Sequence, residues 1–450
     1  MKEQIIKKIT DTVTVIDTSK IDYTSITQYA HLVENNIWTK AIQTALEEKK
    51  NVYIPDMGEE ILIDNSIFMD SDTNLKIDEN QVIRLVPGKN ICMIRNRNII
   101  PGGHKYVERE DPDRHISVSG GIWSAEGNKW MRCDRFQSIV GGFSHFAFSN
   151  IEELNITNVK FVKGGRAYAV MISNCYNFYV DNITFENHAG DGVHIDGPSS
   201  YGIISNLSGS GLLDDMVAIL AWDWYGSGMT HGDIEYIYVH DVEGLDNEIR
   251  LLTGRKEYPN LLTHDCDIRN CVLENITGIY TYKMYYQPNC KNAYLKWDKF
   301  DSALTVGRME NIYFDNISLP EIKNAGFNAI PVYGVFDILA DCKNINLKNI
   351  AVSDSYETLE SKDIKLVNAG PISATAQRGE GPEDWRDYFE PDMCCTVEDI
   401  TIENVTMAGE KITDADKLVK ETHQKINPDY PNTLPAGGTG WGKINKITVI

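Results

Sequence analysis

Positive charge is scarce in this chain. Its 450 residues hold 43 Lys and Arg against 65 Asp and Glu, a formal net charge of −22. That balance argues against the clustered Lys and Arg surface that nucleic acid requires, so no such partner is expected. A polyanionic substrate would need a local basic site. No apolar run reaches the roughly 18 residues needed to cross a bilayer, so no membrane partner is expected either. The opening MKEQIIKKITDTVTVID has no apolar core followed by a small-residue cleavage site. The expectation is a cytoplasmic chain, although a secreted chain already freed of its leader would read the same. Nine cysteines lie scattered, with Cys394 and Cys395 adjacent and no CxxC pair. This excludes a disulfide framework and the ligand spacing of a zinc site, and no metal or other cofactor is expected. Hairpin turns such as Asn-Gly at short, even spacing are few, which argues against a sandwich or a propeller.

What is present is a repeat. The pattern apolar-x-apolar-x-Asn-apolar appears as Leu154-x-Ile156-x-Asn158-Val159 and Phe178-x-Val180-x-Asn182-Ile183. It returns at Asn206, Asn275, Asn316, Asn349 and Asn404, with Asp241 filling one slot. Successive marked positions are 24, 24, 35, 34, 41, 33 and 55 residues apart. Period-2 alternation makes short strands with one buried face. An Asn at a fixed bend can bond neighbouring backbone, or the Asn of the next rung. No rung can bury its apolar face alone, so rungs must stack around one continuous core. The fold class is therefore all-β: a single-stranded parallel β-helix, right-handed by the strong preference for right-handed parallel connections.

A solenoid needs covered ends. Residues 34–50 place Ile37, Trp38, Ala41, Ile42, Ala45 and Leu46 on one helical face, a suitable N-terminal cap. A helix near 412–425, the turn GGTGWG and a final strand KINKITVI would close the other end, in a cap region spanning 409–450. No linker interrupts the chain, so residues 1–450 read as one domain. The stretch 279–300 and the insertion 353–396 fall outside the rung pattern, and long loops on a rigid scaffold commonly wall a cleft.

Carboxylates concentrate between 185 and 216, in FENHAGDGVHIDG and LLDDMVAILAWDW. Asp191 stands 23 residues before Asp214, close to one rung. Rungs stack about 4.8 Å apart, so Asp191, Asp214 and Asp215 can meet on one outer face. Carboxylates at that range push each other's proton affinities apart, leaving one as acid and another as base, which glycosidic-bond hydrolysis needs. Adjacent residues of a regular strand point to opposite faces, so Asp214 and Asp215 share a face only if the backbone kinks. Asp196, Asp223 and Asp233 are competing carboxylates. Trp222 and Trp224 flank Asp223, and such rings stack on sugar faces.

These residues resemble glycoside hydrolase family 28, the polygalacturonases and their relatives. The family order Asn-Thr-Asp, Gly-Asp-Asp, Gly-His-Gly, Arg-Ile-Lys is matched here by Ala189-Gly190-Asp191, Leu213-Asp214-Asp215, Thr230-His231-Gly232 and Arg250-Leu251-Leu252. The resemblance implies a right-handed parallel β-helix and an inverting hydrolase. Asp214 would be the general acid, Asp191 and Asp215 would hold and activate water, and His231 would tune the acid. Arg250 would bind substrate oxygens or a carboxylate, and an inverting pair would stand about 6.5–9.5 Å apart to admit a water. Leu252 replaces the family's lysine, with Arg255 and Lys256 just beyond as candidate substitutes. The expected partner is therefore an oligosaccharide or pectin-related polysaccharide, with small or neutral sugars favoured over long polygalacturonate. A β-helix lyase, an epimerase or a non-catalytic glycan-binding solenoid is the alternative. Oligomeric state is left open.

Overall fold

The computed structural model describes the chain apart from residues 90, 98, 100–110, 126–143, 166–167, 189, 213, 222–229, 254–265, 287–306, 323–333, 371–393 and 426–438. The strands form parallel ladders, each rung pairing with the next, from Asn51–Ile54 to Ile447–Val449, and only Glu410–Ile412 and His423–Lys425 among the described strands pair antiparallel to their neighbours. The arrangement is a parallel β-helix. Ser144–Gly165 and Tyr168–His188 show how one turn is built: they pair in register from Ser144↔Tyr168 to Thr184 opposite Lys160 and beyond.

Strands this long turn corners because single residues adopt the left-handed conformation. Asn158, Asn182, Asn206, Asp241, Asn275, Asn316, Asn349 and Asn404 all have φ between 52° and 58°. Asn and Asp tolerate that region because their short polar side chains bond locally. Here they bond each other across rungs. Asn182 Nδ2 donates to Asn158 Oδ1 at 2.8 Å, Asn316 to Asn275 at 2.8 Å and Asn404 to Asn349 at 2.7 Å. Where the preceding rung offers an aspartate it accepts instead, as Asp181 does from Asn206 at 2.7 Å. A second line of bends runs through Asn270, Asn311 and Asn344, again with amide contacts of 2.9 and 2.7 Å.

Inside the coil lies one continuous apolar core. Aromatic rings stack up its axis: Phe146 meets Trp123 and Phe161 edge-on at 4.9 Å, and Tyr282 stacks on Phe336 at 4.7 Å. Among the described residues, the free cysteines Cys92, Cys175, Cys266, Cys271, Cys342 and Cys395 are buried in or beside it.

The N-terminal cap is the helix Thr39–Lys49, which buries Ala41, Ile42, Ala45 and Leu46. It begins later than residue 34, since Ile37 is drawn into a bridge with Leu62 ahead of the helix. A second helix, Lys2–Thr12, was not legible in the repeat. It lies along the outside of the coil, where Ile5, Ile9 and Val13 pack with Ile203, Val272 and Tyr313. At the other end the helix expected near 412–425 is only Ala415–Leu418. The chain then re-enters the ladder as Val419–Glu421 beside Val367–Ala369. The terminal strand forms as expected, Ile447–Val449 pairing with Ile400–Ile402. Two stretches read as loops also contribute rungs: Tyr282–Tyr285 pairs with Phe336–Leu339, and Lys365–Ala369 with Gly334–Ile338.

Candidate active site

Val193–Asp196 and Asp215–Leu220 are neighbouring strands on one face of the coil, paired from Val193↔Val217 to Asp196↔Leu220. Just ahead of each stands a carboxylate. The Asp191 carbonyl accepts from Ala169 N at 2.8 Å, and Gly192 N donates to Asp215 O at 2.8 Å. A side chain at 192 would bring a Cβ within 2.6 Å of the Met216 carbonyl, so glycine permits this close approach.

The kink required by two consecutive aspartates is present. Asp215 pairs with Glu248, yet Val217 pairs with Ile249, so the strand carries one extra residue at Met216. Asp191, Asp214 and Asp215 thereby present oxygens that all lie within 4.8 Å of one another, and all three residues are buried. Asp214 is the most exposed of the three at 8%. This nearest approach is shorter than the acid–base separation expected for inversion.

The adjoining strands supply charge of both signs. Arg250 Nη2 is 3.7 Å from Asp214 and its Nε is 3.5 Å from Asp215. Its guanidinium also contacts Glu248, whose other oxygen is 2.5 Å from Lys283 Nζ. Burial pushes the Asp215 carboxyl well above the usual range; Arg250 opposes this, while Glu248, Asp191 and Asp214 add to it. Burial also works to raise Glu248, but Lys283 and Arg250 outweigh it and hold that carboxyl below its ordinary value. The surroundings thus favour the neutral form at Asp215 and the ionised form at Glu248.

One register position links these groups. His194, Ala218, Arg250, Lys283, Asp337 and Asn368 are aligned on successive strands. Their flanking residues, such as Val217, Ile219, Ile249, Leu251, Tyr282 and Met284, point into the core. Glu248, Lys283 and His194 were missed because they carry no motif. For His194 and Lys283 the signal was a repeated slot, 12 residues past Asn182 and 8 past Asn275, which Arg250 also fills 9 past Asp241; Glu248 stands two residues before that slot.

Of the residues predicted from sequence, Asp191, Asp214, Asp215 and Arg250 come together. His231 does not join them. Gly232 N donates to Ala221 O, which places His231 beyond the far end of the strand that Asp215 begins. Six residues of strand put that end about 20 Å from Asp215. The turn it occupies is pinned by Thr230 Oγ1 donating to Gly197 O at 2.5 Å. Trp222, Trp224, Arg255 and Asp223 lie outside the described residues. Asp233 is engaged with Arg269 at 2.9 Å, and Asp196 with His194. Leu252 is buried, and among the described residues the cation beside Arg250 is Lys283, from the next strand.

Among solved structures, the chain is similar to a hyperthermoactive exopolygalacturonase from Thermotoga maritima, with a TM-score of 0.54 at 13% identity, covering 91% of this chain and 97% of that one. The chain folds like a polygalacturonase. A family 28 exopolygalacturonase from Yersinia enterocolitica matches over 95% of this chain and 78% of its own, at 10% identity and TM-score 0.49. The Streptococcus pneumoniae surface protein and adhesin PfbA matches over 95% and 100%, at 14% identity and TM-score 0.47. No family model and no curated protein matches the chain. At these identities the likeness is one of polygalacturonase-like fold, and the chemistry has to be argued from the site.

Proposed function

We propose that the protein hydrolyses a glycosidic bond of an oligosaccharide or pectin-related glycan at Asp191, Asp214 and Asp215. The observation that carries this reading is the convergence of three buried carboxylates from two successive rungs, where burial and mutual repulsion favour a shared proton. The proton belongs to the coupled group rather than to one residue. Asp214, the most exposed member, delivers it to the leaving oxygen. Asp191 and Asp215 hold the attacking water. Two hydrogen bonds of about 2.8 Å to one shared water span about 4.6 Å, which suits oxygens within 4.8 Å of one another. Arg250 binds substrate oxygens and limits the repulsion within the cluster. We assign no chemical step to His231. Trp222, Trp224 and Arg255 are proposed substrate contacts on sequence grounds alone. The ladder running from Asn51 to Val449 supports one right-handed coil as the whole folded unit.

The test is turnover on aryl glycosides and oligosaccharides, with NMR of the first-formed anomer. Inverted product and a new reducing end are expected. An ultraviolet-absorbing unsaturated product would mean elimination instead. Asp214→Asn should lower kcat by about 10²–10⁴-fold, and less on a substrate with a good leaving group. Asp191→Asn and Asp215→Asn should hurt both substrates alike. A folded Asp214→Asn enzyme with normal kcat, or retained configuration, would overturn the assignment.

A further inference from the structure

His194 is held from both sides. Its Nδ1 is 2.7 Å from Asp191 Oδ2 and its Nε2 is 3.2 Å from Asp196 Oδ1. All three side chains are almost fully buried. A neutral imidazole has one donor and one acceptor nitrogen, so it cannot donate to two carboxylates at once. Its acceptor nitrogen would face a carboxylate oxygen without a proton between them. With Asp191 and Asp196 both ionised, only the form with both ring protons satisfies both contacts. Tyr168 lies flat on the ring, with centroids 4.1 Å apart and planes 15° from parallel, and an aromatic face attracts a cation. The in-register neighbours on the flanking strands, Met171 and Ala218, bring no charge to compete. Among the described residues, the charged groups around this point are Asp191 and Asp196 on its own segment, then Asp214, Asp215, Arg250 and Glu248 across the cluster.

We propose that His194 is a positioning residue: a permanent imidazolium, anchored by Asp196 and roofed by Tyr168, that keeps Asp191 ionised and aimed at the shared water. The role rests on the hydrolase reading above; the charge state does not. An ionised Asp191 can accept a proton from the water it holds, whereas a free carboxylate beside Asp214 and Asp215 would tend to take up a proton at rest. Asp196 makes no catalytic contact and acts through the ring.

Two measurements separate the charge state from the hydrolase reading. In protein labelled with ¹⁵N-histidine, both ring nitrogens of His194 should show the protonated signature from pH 5 to pH 8, assigned by its loss in His194→Gln. A neutral tautomer at pH 7 overturns the proposal. In Asp196→Asn the same signal should titrate within that range, and a signal that stays fixed overturns the anchoring role. On a substrate the wild type hydrolyses, His194→Gln should lower kcat about 10–100-fold with KM within about twofold, as lost orientation of a bound base does. It should also move the acidic limb of the pH–rate profile upward. Folded His194→Gln protein with unchanged kcat overturns the role. If His194→Gln does not fold, Asp196→Asn carries the same kinetic test. If the wild type hydrolyses no glycoside while the imidazolium signature persists, the proposed function fails and the charge assignment stands.

Discussion

Asp337 offers a test of how this coil handles charge in its walls. It sits between Lys283 and Asn368 in the aligned column, is 1% exposed, and has one carboxylate oxygen without a hydrogen-bond partner. Burial pushes its carboxyl up to about 7. Asn368 and Lys283 pull the other way, although the Asn368 Nδ2 reaches no hydrogen-bond partner. In the unfolded chain the group titrates near 3.9. The folded state therefore binds this proton more tightly. Its contribution is fully present below about pH 4, is lost as pH rises, and levels off above about pH 7. Three pH units at about 1.4 kcal/mol each give a loss of about 4 kcal/mol by pH 8. Asp337→Asn removes the titration while keeping the shape. Unfolding entropy of about 2.1 cal/mol/K per residue makes 4 kcal/mol equivalent to about 4 °C for a chain of this length. Melting curves of both proteins from pH 4.5 to 8.5 should show the variant gaining on the wild type by about that amount. Every other group titrates in both proteins and cancels. A difference that stays constant with pH would refute the reasoning.

Further outcomes follow from the coil and the site. Asn316→Ala loses both an amide contact and a residue suited to φ 55°, and should cost about 2–3 kcal/mol in denaturant unfolding; Asn316→Gly should recover the backbone part. The Tyr282 hydroxyl is buried among aromatic rings without a partner, so Tyr282→Phe should stabilise the fold by about 1 kcal/mol; a destabilised variant would show that the hydroxyl is satisfied. Glu248 already pairs with Arg250 and Lys283, so among the described residues the site has little spare positive charge. Efficient depolymerisation of long polygalacturonate is therefore not expected, and reducing-end assays against neutral oligosaccharides would expose the error if it occurs.

The coil was readable because its corners need a particular residue. Asn is enriched where φ must be positive, so the sequence marks each bend, and the intervals count the rungs. Asp191, Asp214 and Asp215 were readable because one-rung spacing turns a linear distance into a spatial one. Arg250 came from motif order. His231 misled for the same reason: motif order carries no register, and the neighbouring Gly232 pairs with Ala221, past the far end of the strand that Asp215 begins. Lys283, Glu248 and His194 escaped because their slot is defined by pairing, which needs the lengths of the intervening loops. The helix Lys2–Thr12 escaped because its Ile5 and Ile9 look like any short amphipathic turn; only the coil's outer face explains what they cover.

That helix has a consequence for the order of assembly. Lys2 forms ion pairs with Glu274 and Asp315, and Lys8 lies over the rings of Tyr201 and Tyr236. The helix is made before any of the surface it rests on. At about 5–20 residues per second, the ribosome needs on the order of 15–60 s to emit those partners. An isolated helix of 11 residues is marginal in water, so for that interval the segment has no stable structure of its own. It is thus synthesised well ahead of the surface it rests on yet is among the last to settle, fastening rungs that were already stacked, much as a strap is drawn across a finished coil.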